Sequence, residues 1–392
     1  MRQSRKKWER RREVHRNKLA AVIFVIMMIA FCVVNLATGD REFSATENRA
    51  LEQRPELTIS GLESGRWVEQ YESYVSDQFA GRDFWVVLKS RVDLLAGKRK
   101  ANGVFKGKDH YLLEDIAKPD EDQLKENLSA MKKFQKQYKD IPMYMMLVPN
   151  AANIESDKLP GYAVTENQEK QFKAIHSTLG SVYTWVDVSD ILKKHRSEEI
   201  YYHTDHHWTT LGAYYGYQAL SKSMKLDTSK TSDMKPYAVT NAFNGTLAST
   251  SGYETGYEEP IYIYAPDNLK NATEAVVNNV NEKKKTATLY DTSKLKGKDK
   301  YALFLGGNYP ILDIKTTADS TDRLLIIKDS YANSLIPFLI PYYREIVVVD
   351  PRYYYDDIEK VMKKDNITSV LFLYNGNTFV KDNSISGVLQ ND

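Results

Sequence analysis

Five short runs of apolar residues limit what this chain can fold into. They are "PMYMMLVPN" (142–150), "VYTWVDV" (182–188), "RLLIIK" (323–328), "EIVVVD" (345–350) and "TSVLFLYN" (368–375). Each is rich in Val, Ile, Leu or aromatic residues, and most run apolar without alternating, as strands buried on both faces do. Amphipathic segments lie between them, among them "DEDQLKENLSAMKKFQKQYKD", "TENQEKQFKAIHSTLG", "TTLGAYYGYQALSKSMK", "NSLIPFLI" and "YDDIEKVMKKD". Strands alternating with helices predict an α/β fold, a parallel sheet with helices on both faces. From about 226 to 320 the texture changes to Thr, Asn, Lys and Tyr in short alternating runs, which reads as a β-rich insertion. Upstream, Trp67, Tyr71, Tyr74, Val75 and Phe79 recur at helical spacing, and "NGVFKGKDHYLLE" reads as a hairpin.

The first 37 residues bear on compartment. Residues 1–18 carry nine Lys/Arg and two Asp/Glu, a basic tail, and 19–37, "LAAVIFVIMMIAFCVVNLA", contain no charge. As a helix this run rises about 28 Å, close to the thickness of a bilayer core. Basic residues stay cytoplasmic, so the rest of the chain is expected outside, on a single-pass anchor in the cell membrane. A cleaved signal peptide is the alternative. Against it, the run is longer than the apolar segment of such a peptide, and Asn35-Leu36-Ala37 makes a poor cleavage site. Residues 38–60 are polar and irregular, a tether, leaving 61–392 as the outer domain. Without the tail, the totals of 54 basic and 52 acidic residues become 45 and 50. A net charge of −5 argues against nucleic acid as a partner. The one cysteine, Cys32, lies in the anchor, so the outer domain has no internal disulfide and depends on its core.

In an open parallel sheet, ligands bind beyond the carboxyl ends of the strands. "RLLIIK" is followed there by Asp329 and Ser330 and then a helical segment. A serine on a strand-to-helix turn can present its hydroxyl as a nucleophile, or simply cap the helix. The stretch "YYHTDHHWTT" (201–210) supplies what a nucleophile needs. Asp205 and His207 can point into one cleft from one loop, as orienter and base, with Trp208 closing the loop. His203, Asp205, His206 and His207 also suggest a metal site, but a site needs three or four convergent ligands. The remaining histidines are scattered, and no metal or other cofactor is expected.

These residues carry a resemblance. "TDHHW" ahead of "GAYYGYQAL", then "IIKDSYANSLIPFL", resembles the DHHW-motif proteins, which are similar to alginate O-acetyltransferases with an SGNH-hydrolase-like fold. The resemblance spans about 45–385 and implies a permuted motif order, with Asp205 and His207 preceding a Ser330 nucleophile. Lys328-Asp329-Ser330 departs from the family in lacking the glycine before the serine. The fold further suggests Asn375 as an oxyanion-hole amide, by its place after a strand. Arg352, Tyr331, Trp208 and Tyr202 are candidates for oxyanion or substrate contacts, the tyrosines by stacking on sugar rings. Gly307, Asn308 and Asn150 are further candidates at the same edge, by position alone. The implied function is extracytoplasmic O-acetyl transfer, through a serine acyl-enzyme, onto a polysaccharide hydroxyl. The acetyl donor would be a membrane-bound O-acyltransferase. A carbohydrate esterase with the same triad, or a non-catalytic polysaccharide-assembly protein, are the alternatives.

Overall fold

The computed structural model describes residues 2–44, 49–268 and 272–390. Four residues of the expected tether, 45–48, lie outside them. The chain divides into two compact units, 1–89 and 90–392. The helical pattern at 67–79 belongs to the first unit. There, α1 (Arg2–Ala37) contains the apolar run, long enough to cross a membrane or to serve as a signal sequence. It is followed by α2 (Arg66–Asp77) and α3 (Arg82–Leu95), the latter running across the boundary.

The second unit is built on one eight-stranded sheet. Its strands in chain order are β1 (Met143–Val148), β2 (Thr184–Trp185), β3 (Ala275–Asn279), β4 (Lys284–Thr286), β5 (Ile311–Thr316), β6 (Arg323–Lys328), β7 (Glu345–Val349) and β8 (Ser369–Asn375). Across the sheet they lie in the order β4-β3-β5-β7-β6-β8-β1-β2. Strands β7, β6, β8, β1 and β2 are mutually parallel, and Ile326 pairs with Val348 on one side and Leu371 on the other. The other three are antiparallel.

The sheet is therefore mixed, not parallel throughout, and the correction comes from the insertion, which contributes β3, β4 and β5. The pattern explains which strands went where. β7 and β8 are buried at every position, whereas β3 and β5 alternate between buried and more exposed residues. A continuous apolar run suits a strand covered on both faces, and an alternating one suits an antiparallel edge.

Both faces of the parallel part are covered. On one, Leu324, Ile326, Val348 and Leu371 pack with Ala213, Tyr217 and Leu220 of α6 (Thr210–Met224) once α4 (Glu121–Gln137) and α5 (Gln168–Leu179) have taken the other side. There, Leu325, Val347 and Phe372 meet Met131 and Phe134 of α4, Phe172 and Ile175 of α5, and Val361 of α7 (Ile358–Lys364). Alternate residues of each strand serve opposite cores, so a one-residue register slip would exchange them.

The segment after Ser330 also differs from expectation. "NSLIPFLI" forms no α-helix; residues Ser330–Ser334 and Ile336–Phe338 are short 3₁₀ turns. Pro337 has no N–H to continue an α-helical ladder, and 3₁₀ pieces are characteristically this short.

Candidate active site

The site forms where β6 ends. Asp329 follows β6 with extended backbone angles, φ −108° and ψ −169°, so the turn carries no left-handed strain despite the absent glycine. Its buried carboxylate accepts from the backbone N–H of Tyr331 at 2.9 Å and from that of Asn375, at the end of β8, also at 2.9 Å. Burial pushes the Asp329 carboxyl up, opposed by the Arg352 charge and the two N–H groups. One aspartate thus fixes the serine turn and joins it to the neighbouring strand.

The loop from Ile200 to Thr209 arrives from the other side, closed on itself. Tyr201 and Trp208 form a bridge, Tyr202 N donates to His207 O at 3.2 Å, and Thr209 N donates to Ile200 O at 2.9 Å. Trp208 locks this loop to the serine turn, its indole N–H reaching Tyr331 O and Ser334 Oγ, both at 3.0 Å. Gly216 of α6 makes room for that indole, because a Cβ there would lie 2.7 Å from its ring.

With the two segments locked, three side chains form a relay. Asp205 Oδ1 lies 2.5 Å from His207 Nδ1, and His207 Nε2 lies 2.7 Å from Ser330 Oγ. An ionised carboxylate can only accept, so Nδ1 carries the proton and Nε2 is left to accept from the serine hydroxyl. All three residues are buried. Burial alone would raise the Asp205 carboxyl. The His207 and His206 charges, its bond to His207 and the Thr246 N–H outweigh that and hold it well below the usual carboxylate range. Two neighbouring aspartates, 205 and 329, are thereby pushed in opposite directions. Tyr301 lies flat against the His207 ring, with centroids 3.7 Å apart and planes 9° apart, and its hydroxyl donates to Ser330 O at 3.3 Å.

The remaining expected residues are placed differently. Tyr202, Trp208 and Tyr331 are at most 1% exposed, so their rings are interior packing and present no face to a sugar. Tyr201 is equally enclosed, its hydroxyl donating to Pro149 O. Tyr331 donates to His206 O. The Asn375 side chain ties the strand end: Oδ1 accepts from Asn377 N at 3.0 Å, and one N–H of Nδ2 donates to Val148 O at 3.4 Å. Arg352 grips Asp350 with two bonds of 2.8 and 2.7 Å, and that carboxylate also meets the buried Lys328. Lys328 donates to Asn308 as well. Asn150 joins Glu114 and Gln168 in an amide network that reaches Asn375 through Asn377 N.

Among the described residues, Asp205, His206 and His207 form a group whose potential ligand atoms lie within 4.8 Å of one another. The donor set does not suit a metal. Both ring nitrogens of His207 and both oxygens of Asp205 already have partners, so coordination would dismantle the relay.

Sequence reasoning missed the residues that hold Asp205. Thr246 gives Oδ2 both its N–H, at 2.8 Å, and its hydroxyl, at 2.9 Å. Glu259 accepts from the N–H groups of His203 and Thr204, at 2.8 and 2.9 Å, and from the Thr204 hydroxyl at 2.6 Å. Both come from the insertion, where no periodicity marks them; the one local signal is the "NGT" turn. At Gly245 an added Cβ would lie 2.3 Å from Asp205 Cβ and 2.7 Å from its Cα. Gly245→Ala is expected to displace Asp205 and lower turnover about 100-fold, the effect of a displacement near 1 Å. Thr246→Val keeps the N–H and loses both hydroxyl bonds, to Asp205 Oδ2 and to His206 Nδ1, so a drop of about tenfold is expected. Turnover measured on both variants at matched folded fraction checks the order.

The DHHW protein family model matches residues 124–349. No curated protein matches the chain. A DHHW family protein from Eubacterium siraeum DSM 15702 has the same fold, with TM-score 0.61 and 24% identity, over 75% of this chain and 98% of that one. Bacillus cereus PatB1, solved with a sulfonyl adduct, gives TM-score 0.60 and 21% identity, over 73% of this chain and 97% of that one.

Proposed function

Because the chain belongs to the DHHW protein family, we propose that it is a membrane-anchored O-acetyltransferase acting through a Ser330 acyl-enzyme. The observation that carries this reading is the continuous Asp205–His207–Ser330 relay at 2.5 and 2.7 Å. A serine hydroxyl becomes an effective nucleophile when an imidazole in the correct tautomer takes its proton. Here Ser330 Oγ attacks the carbonyl carbon of the donor's acetyl group while its proton passes to His207 Nε2. The tetrahedral adduct collapses, the donor's leaving group takes that proton, and the acetyl ester stays on Ser330. An acceptor hydroxyl then gives its proton to Nε2, attacks the ester and departs as the acetylated sugar, returning the proton to Ser330. The proton stays on His207 Nδ1 throughout, held there by the ionised Asp205, which stabilises the transient imidazolium, with the Tyr301 ring against the imidazole face.

The permuted order, base before nucleophile, fits an SGNH-hydrolase-like domain. With α1 as an anchor and its basic tail cytoplasmic, the site faces outward, where acetyl-CoA is not directly supplied. A membrane-bound O-acyltransferase is therefore the donor in this reading, and a cell-surface or secreted polysaccharide the acceptor.

The test uses the purified full chain with a chromogenic acetyl ester, with and without an oligosaccharide acceptor. The expected results are an acetyl group on the peptide containing Ser330, transfer to the sugar, and an unchanged rate after dialysis against a chelator. Release of acetate to water alone, whatever the acceptor, would make the protein an esterase. No acetyl on Ser330 and no turnover would leave a non-catalytic assembly protein.

A further inference from the structure

Helix α3, which runs from the first unit into the second, shows an apolar face that no described residue covers. Phe84, Trp85 and Leu88 are 63%, 46% and 39% exposed, and the same side of the helix continues with Val92 and Leu95. At about 100° per residue these five positions fall within a stripe roughly 100° wide, the apolar face of an amphipathic helix. Arg82, Lys89 and Arg91 lie outside that stripe. A solitary exposed apolar residue needs no explanation, but an aromatic-led stripe along a whole helix does.

What covers it follows from where the helix begins. The turn between α2 and α3 is fastened to the outer end of α1. Ala80 N donates to Asn35 Oδ1 at 2.9 Å, and the Phe79 ring packs on Phe31 at 4.9 Å. Gln78 exchanges two bonds with the backbone of Arg41, at 2.8 and 2.9 Å, just beyond the apolar run. Asn35 is two residues from the end of α1, or about 3 Å of helix rise. Gly81, at φ +66°, then turns the chain into α3. The helix therefore starts at the level where α1 leaves the apolar core of the bilayer. A stripe headed by Phe and Trp and flanked by cations suits that depth, since aromatic rings collect at the headgroup level and basic side chains meet anionic lipid.

We propose that α3 is an interfacial helix, its Phe84, Trp85 and Leu88 face seated in the outer leaflet of the bilayer that α1 crosses. The inference rests on the reading of α1 as an uncleaved anchor. N-terminal sequencing of membrane-extracted protein tests that reading separately, since a new terminus near residue 38 would remove it.

The experiment uses the full chain with Cys32→Ser and one cysteine introduced at exposed positions, as Phe84→Cys, Leu88→Cys or Lys89→Cys. Each is labelled with an environment-sensitive fluorophore and reconstituted into phosphatidylcholine–phosphatidylglycerol vesicles containing doxyl-labelled lipid. Quenching at 84 and 88 is expected to exceed that at 89 about threefold. Equal quenching at all three positions would overturn the proposal, and so would none at any. Cross-linking between copies at position 84 without lipid quenching would overturn it in favour of a second copy on this face. Matched thermal melts exclude a folding defect as the cause of any difference.

Discussion

Ser330→Ala is expected to lower the rate constant for acetyl transfer by about 10⁴- to 10⁶-fold and to abolish acetyl labelling of its peptide. The fold should hardly notice. The turn is held by Asp329, through its bonds to Tyr331 N and Asn375 N, and by the Trp208 indole, none of which uses the serine hydroxyl. What Ser330 Oγ does touch is His207 Nε2, so the substitution removes the nucleophile and leaves its base in place. His207→Ala should cost about as much, because an unactivated serine is as inert as an absent one. The double variant should then be scarcely worse than either single one, as happens when residues act as a unit. Near-additive losses would mean that serine and histidine serve separate steps. A folded Ser330→Ala protein retaining a tenth of the activity would end the acyl-enzyme reading. A sulfonyl fluoride offers an independent probe: it should modify the wild type at Ser330 and leave both variants unmodified.

The parts of this arrangement that could be read in the sequence are those with a repeating physical signature. The runs "RLLIIK", "EIVVVD" and "TSVLFLYN" are apolar almost throughout because β6, β7 and β8 are covered on both sides, and that pattern survives without knowledge of the fold. That Asp205, His207 and Ser330 would meet was legible because a serine–histidine–carboxylate relay restricts the residue types that can form it. Asn375 and Arg352 were placed by position alone, and position cannot reveal a competing partner. In the structure Asn375 bonds Asn377 N and Val148 O, and Arg352 bonds Asp350. The tyrosines misled for a related reason. Their amphipathic rings suit a sugar surface and an interior equally well, and here they are interior. Thr246 and Glu259 were illegible because they lie 41 and 55 residues from Asp205 and Thr204, which they hold, in a segment with no periodicity. The antiparallel strands of the same insertion escaped because weak alternation identifies a strand but not its sheet.

Asp205→Asn is the companion prediction, and its effect follows from donor and acceptor count. The aspartate accepts four bonds: His207 N and Nδ1 on Oδ1, Thr246 N and Oγ on Oδ2. An amide has one acceptor oxygen and one donor nitrogen. With its oxygen toward His207, the new NH₂ faces the Thr246 N–H, donor against donor. With its NH₂ toward His207, it forces the proton onto Nε2, and the imidazole can no longer accept from Ser330. Either arrangement also removes the charge that stabilises the imidazolium, so turnover should fall about 10⁴-fold at neutral pH. Stability should fall as well, by roughly 2–4 kcal/mol, since N–H groups in a closed interior lose a charged partner. That loss has a pH signature. Asp205 is held well below the usual carboxylate range when folded, so its stabilisation is fully present above the unfolded value, near ~3.9. It is lost progressively as the pH falls below that value toward the much lower folded one. The gap between wild type and Asp205→Asn, measured by denaturant melts, should therefore be widest above pH ~5 and close as acid is added. A gap that is constant down to pH ~2 would show the loss to be one of packing, with the carboxylate charge contributing nothing to how the loop is held.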